Sequence, residues 1–169
     1  MRCLDCDSEL IIGQEMCPAC GSDVTYFRVS PPHVGRLHDV IFEDPLSQLN
    51  APEPLLLKGS DSVEHAVGVM RKHRFGSVLI VDEESKLQGI FTERDLLNVP
   101  APGPSLKSVS LESVMTPKPK ALREDDTIAL ALNRMAVGGY RHIPIVRDGV
   151  PVGFTSIRGI LTYLGMNGL

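Results

Sequence analysis

From about residue 55 onward the apolar positions keep two rhythms in turn. Val63, Ala66, Val67 and Met70 recur at helical spacing behind Asp61 or Ser62, either of which suits an N-cap. The unbroken run Val78 to Val81 and the segment Leu87 to Phe91 then read as strands, joined by the turn Asp82-Glu83-Glu84-Ser85. The order then returns. Ile128, Ala131, Leu132 and Met135 follow Asp126 or Thr127, and the strands Ile143 to Val146 and Val152 to Thr155 flank Arg147-Asp148-Gly149. Gly76 in the first set, and Gly138-Gly139 in the second, are the expected helix stops. With a short final helix after each second strand, the pattern spells a β-α-β-β-α unit twice.

The two sets match at an offset of 65 residues: Pro117 falls on Pro52, Leu122 on Leu57, Ala131 on Ala66, Met135 on Met70 and Ile145 on Ile80. One position is lost in the second turn, after which Gly153 falls on Gly89, Arg158 on Arg94 and Leu161 on Leu97. A unit of roughly sixty residues buries its sheet poorly alone. The two are therefore expected to pack sheet edge to sheet edge as a pseudo-two-fold pair. The fold class is mixed α/β (α+β). Its partition is a cysteine-bearing segment over 1–30, a linker over 31–43 and a first repeat over 44–100. A Gly-, Pro- and Ser-rich joint at 101–109 leads into a second repeat over 110–169.

Composition narrows the function classes. The 169 residues are 43% hydrophobic and 22% charged, which excludes wholesale disorder. The longest aliphatic run falls far short of a bilayer span, and no charged and apolar opening segment marks secretion, so a cytoplasmic setting without membrane contact is expected. A net charge of −4 argues against a bulk grip on nucleic acid, and the lack of Trp against a base-stacking platform. The basic run Arg71-Lys72-His73-Arg74 closes a helix, where positive charge is favourable anyway.

All four cysteines lie at one end, as two Cys-x-x-Cys pairs: Cys3 with Cys6 and Cys17 with Cys20. Two facing turns of this kind make a tetrahedral sulfur cage that suits Zn²⁺, and a segment this short needs the metal to fold. Disulfides are the alternative in an oxidising compartment, which nothing else in the chain suggests. The turns resemble those of zinc ribbons and also those of rubredoxins, which hold iron. A rubredoxin wraps its site in aromatics, whereas only Tyr26 and Phe27 lie nearby, so zinc is expected over iron. With four thiolates and no open position the role is structural, and His33 and His38 read as surface residues.

The Gly-Ile-Phe-Thr-Glu-Arg-Asp motif at 89–95, its counterpart Gly-Phe-Thr-Ser-Ile-Arg-Gly at 153–159 and the Arg-His-Ile-Pro-Ile-Val strand at 141–146 resemble paired CBS domains, the Bateman module. The similarity runs from about Asp44 to Leu164. It implies a regulatory module, generally a flat homodimer, that binds adenosine-containing ligands such as AMP, ADP, ATP or S-adenosylmethionine between its repeats.

The first motif has chemistry of its own. Gly89 lets a backbone approach a flat base closely, Ile90 and Phe91 offer apolar walls, and Thr92 caps a helix whose exposed amides favour anions. Asp95, one turn in, suits two ribose hydroxyls. A capping box that needs no ligand is the competing reading, since Thr-x-x-Asp imitates Ser/Thr-x-x-Glu. In the second copy Gly159 replaces the acid. By the resemblance, phosphate contacts come from the partner repeat, whose corresponding positions hold Arg141, His142 and Arg158. Guanidinium groups suit phosphate; both leading residues also suit a solvent-facing edge strand. Met115-Thr116-Pro117 enters the second copy where such ligands are often touched. The expected function is a nucleotide-sensing module, not an enzyme, because no nucleophile-base constellation, open metal position or Walker-type loop is found. The other reading makes the cysteine segment an adaptor for protein or nucleic acid, with the repeats as its dimerisation scaffold.

Overall fold

The computed structural model describes residues 3, 6, 8–10, 14–22, 24, 35–99 and 105–167; Tyr26, Phe27 and His33 lie outside them. In chain order the elements are helix α1 (Arg36–Glu43), strand β1 (Leu56–Lys58), helix α2 (Val63–His73), strands β2 (Ser77–Val81) and β3 (Leu87–Thr92), helix α3 (Glu93–Leu96), strands β4 (Thr116–Pro117) and β5 (Leu122–Arg123), helix α4 (Ile128–Gly138), strands β6 (His142–Arg147) and β7 (Val150–Ser156), and helix α5 (Ile157–Asn167). They gather into two compact units, neither of which is one repeat. One unit comprises Asn50–Glu124 with His142–Ser156; the other comprises Met1–Leu49, Asp125–Arg141 and Ile157–Leu169.

The first of these holds both sheets. One runs in the order β1-β2-β3-β4, the other β5-β6-β7. The repeat survives at the level of register. β1 is parallel to β2 with Leu57 opposite Ile80, and β5 is parallel to β6 with Leu122 opposite Ile145. Each following hairpin is antiparallel, sets Ile80 opposite Gly89 or Ile145 opposite Gly153, and breaks register one residue later, between Ile80 and Val81 or Ile145 and Val146. The same bulge is present in both copies, so the lost position lies in the turn itself: five residues separate Val81 from Leu87, and four separate Val146 from Pro151. The turn segments meet where Leu87 N donates to Gly149 O at 3.0 Å. Every residue of β2 is buried, and Val78, Ile80 and Phe91 share a core with Val63, Ala66 and Met70 of α2 and with Leu111.

Of the two candidate caps before each long helix, the hydroxyl does the capping. Ser62 Oγ accepts from His65 N at 3.2 Å, and Thr127 Oγ1 accepts from Leu130 N at 3.3 Å. Asp61 instead accepts from Lys58 N at 2.7 Å, closing the turn ahead of the helix. Gly139 ends α4 as expected, in left-handed backbone with φ 66°. In α2 the same place is taken by Arg74 with φ 58°, two residues before the glycine the sequence suggests.

The other unit holds α1, α4 and α5. The segment expected as linker contains α1, whose Leu37, Val40 and Ile41 recur at helical spacing, with Val40 buried. After it Leu46 N donates to Asp126 O at 2.8 Å, Ile128 N donates to Asp44 O at 3.1 Å, and Tyr163 OH donates to Asp44 Oδ2 at 2.7 Å. Helix α5 is eleven residues long, against four in α3. The prolines at 100, 102 and 104 disfavour helix behind α3, and α5 contains none. No helix among the described residues is long and apolar enough to cross a membrane.

Candidate functional site

Strand β3 delivers Thr92 to the start of α3 in extended backbone, with φ −125°. Asp95 stands one turn on, and its Oδ2 accepts from Thr92 N at 2.8 Å and from Thr92 Oγ1 at 2.7 Å. Its Oδ1 faces Thr116 Oγ1 at 3.4 Å. The capping-box bond is thus made, and one carboxylate oxygen is fixed by it while the other points towards β4. Capping and ligand binding are compatible roles here, since each oxygen can accept more than one hydrogen bond.

A Cβ on Gly89 would lie 2.2 Å from Met115 Sδ, so Gly89 permits a close approach by a methionine of this chain. Phe91 is wholly buried against α2, so the apolar wall expected of its side chain is core instead. Strand alternation sends Ile90 to the opposite face of the sheet.

In the second repeat His142 opens β6, half-buried and opposite Ser156. Its imidazole reaches the first repeat: a Cβ on Gly76 would lie 3.3 Å from His142 Nε2 and 3.5 Å from Glu93 Cδ. Beside it, the rings of Phe75 and Phe154 meet edge to face at 5.1 Å. Sequence reasoning did not single out Glu93, Phe75 or Phe154 here, because a contact between repeats leaves no periodic mark in either one. Arg141 and Arg158 are exposed and belong to the helical unit, where Ile157 N donates to Arg141 O at 3.2 Å. Gly159 follows Arg158 in the exposed first turn of α5.

At the other end of the chain the sulfurs of Cys3, Cys6, Cys17 and Cys20 all lie within 4.8 Å of one another. Cys3 Sγ is 3.6 Å from Cys20 Sγ, and Cys6 Sγ is 3.5 Å from Cys17 Sγ. Four sulfurs at ~2.3 Å around a tetrahedral Zn²⁺ would be separated by about 3.8 Å, so the donor set fits that ion. Both turns are built alike: Cys3 N donates to Ser8 O at 2.9 Å and Cys17 N donates to Ser22 O at 2.7 Å. Ser8 Oγ lies 2.9 Å from Cys6 Sγ and 3.1 Å from Cys17 Sγ. That hydroxyl is the main cause of a Cys17 thiol lowered to about 6, and it lowers Cys6 as well. The signal was present in the sequence as Cys-x-x-Cys-x-Ser written twice. His38 is not fully exposed; it stacks on Phe42 with ring centroids 4.6 Å apart and lies 3.5 Å from Asp39.

The sequence profile of the CBS domain matches residues 46–101 and 111–165. A 17.7 kDa protein from the bps2 3′ region of Acidianus ambivalens is 31% identical over 120 residues, 70% of this chain and 72% of that protein. The mitochondrial CBS domain-containing protein CBSX3 of Arabidopsis thaliana is 32% identical over 106 residues, 60% of this chain and 52% of that protein, so the chain spans about half of its length. Among solved structures, a CBS domain protein of Pyrobaculum aerophilum complexed with AMP aligns with TM-score 0.64 and 22% identity over 73% of this chain and 99% of that one. The CBS domain pair of protein MJ0100, in complex with methylthioadenosine and S-adenosyl-L-methionine, aligns with TM-score 0.65 and 24% identity over 73% of this chain and 97% of that one.

Proposed function

The chain belongs to the CBS-domain family as a tandem pair, and on that footing we propose that it is a regulatory module binding an adenosine-containing nucleotide of the AMP, ADP or ATP class. One inequality between the repeats carries the reading: Asp95 stands where the second copy has Gly159. Because Thr92 anchors Oδ2, the Asp95 carboxylate is held in place before any ligand arrives, which lowers the cost of ordering it. Thr92 and Asp95 then serve the ribose, Arg141, His142 and Arg158 the phosphate, and Ile90 an apolar contact; Phe91 offers backbone alone. The AMP and S-adenosylmethionine complexes of two structural neighbours support the ligand class.

Thermal unfolding in the presence of AMP tests the assignment. Ligand at about 100 Kd should add ~2.7 kcal/mol of stability. Asp95→Ala should abolish that gain, and Asp95→Asn, which keeps an acceptor for Thr92, should retain the cap while losing the gain. An AMP effect unchanged in Asp95→Ala sinks the site.

Cys3, Cys6, Cys17 and Cys20 hold a structural Zn²⁺ in this reading, supported by the sulfur spacing described above. Elemental analysis of natively purified protein should find about one zinc per chain in a colourless sample; a red, iron-bearing protein excludes zinc. A homodimer formed through the CBS pair and a cytoplasmic setting complete the proposal, and light scattering checks the first.

A further inference from the structure

The basic run at the end of α2 has no part in the nucleotide reading, yet two of its residues line a cavity of about 330 Å³. Val67, Met70, Arg71 and Arg74 stand on one face of the helix by their spacing, and Phe75, Phe91, Glu93 and Leu96 complete the wall. This is the Phe91 face of β3, whereas Ile90 and Thr92 point to the other face. On α3, Glu93 and Leu96 turn towards the cavity while Asp95, well round the helix from Glu93, is held by Thr92. The cavity therefore shares Phe91 and Glu93 with the 89–95 motif but lies away from the Asp95 carboxylate.

Neutralising the negative end of a helix dipole does not account for the two arginines. Helix α4, the counterpart of α2, ends with no basic residue at all, and the positions matching Arg71 and Arg74 are Ala136 and Gly139. Arg74 moreover holds left-handed backbone, which costs an ordinary side chain energy that its glycine counterpart avoids. Lys72 and His73 would supply end charge without that strain. Among the described residues neither Arg71 nor Arg74 has an acidic partner within ion-pair distance. Glu93, the one acid in the lining, has its carboxyl carbon on the Gly76 and His142 side.

We infer that this cavity is a second ligand site, which takes a small amphiphilic carboxylate: an apolar body against Val67, Met70, Phe75 and Leu96, and an anionic head between Arg71 and Arg74. At about 30 Å³ per heavy atom, the share of one water in the liquid, the space holds about eleven such atoms. That matches an unbranched carboxylate of octanoate to decanoate size.

Calorimetric titration of the full chain with octanoate tests it, with 1-octanol and octylamine as controls of equal length. Octanoate should bind saturably at one site per chain, and both controls about tenfold more weakly or less, because they lack the charge-assisted contact. Arg74→Gly, which relieves the backbone, and Arg71→Gln should each lower octanoate affinity about tenfold while leaving AMP binding unchanged. Asp95→Ala should leave octanoate binding intact, so this site and the nucleotide site fail separately. No saturable octanoate binding, whether the cavity is inaccessible or covered by a second copy, overturns the inference. Equal binding by the Arg71→Gln/Arg74→Gly double variant does the same.

Discussion

Arg74 and Gly139 end equivalent helices and take the same left-handed backbone, with φ 58° and 66°. Only one of them is a residue for which that conformation is cheap. Arg74→Gly should therefore raise stability by about 0.5–1 kcal/mol, the strain removed being partly offset by the looser unfolded chain. Gly139→Ala should lower it by about 1 kcal/mol. Urea unfolding at constant m-value measures both; a destabilised Arg74→Gly contradicts the strain argument.

Gly89 and Met115 fill one space between them. A Cβ at 89 would sit 2.2 Å from Met115 Sδ and 3.0 Å from its Cγ, so β4 stays in place beside β3 only if the methionine moves. Gly89→Ala should cost about 1–3 kcal/mol, in the range of overpacked cores. Met115→Ala should restore most of it in the double variant, giving a coupling energy of about 1 kcal/mol or more. Additive losses would mean that the two residues do not compete.

Tyr163 ties α5 to the segment after α1 through Asp44 Oδ2. Replacing it with Phe should cost about 1 kcal/mol. Burial first, and the hydrogen bond to Asp44 second, raise the Tyr163 hydroxyl above its ordinary value. The folded state then holds this proton longer than the unfolded chain does. Its contribution is complete below the unfolded tyrosine value near ~10 and is lost as pH rises above it. Stability should fall over that alkaline range and fall less steeply in Tyr163→Phe. Tyr140, raised chiefly by burial, keeps part of the slope in either protein.

Ser8 governs the thiols on both turns. In metal-free protein Cys17 should be alkylated as a thiolate down to about pH 6, and Ser8→Ala should move that profile upward towards 9. With metal bound, the same variant should release zinc to a chelator faster, since the hydroxyl no longer supports the sulfurs of Cys6 and Cys17. An unshifted alkylation profile would show that the hydroxyl does not act on Cys17.

The sequence was enough to reveal the doubled β-α-β-β-α order and the four-cysteine cluster, and it narrowed each long-helix cap to a carboxylate or the hydroxyl beside it, which the structure then decided in favour of the hydroxyl. It also carried the Thr92 and Asp95 pair, whose bond is local to one helical turn. Helix α1 was hidden by the prolines and glycine just before it, although its Leu37, Val40 and Ile41 spacing was present. Three matters depended on residues far apart in the chain and could be decided only by packing. Met115 lies over Gly89; Phe91 turns inward against α2; and His142 comes to rest beside Gly76. A strand's alternation tells that two faces differ, but which face meets a helix is set by the rest of the fold. That is why the same seven-residue motif announced its helix cap in advance and left the place of its aromatic ring to the tertiary structure.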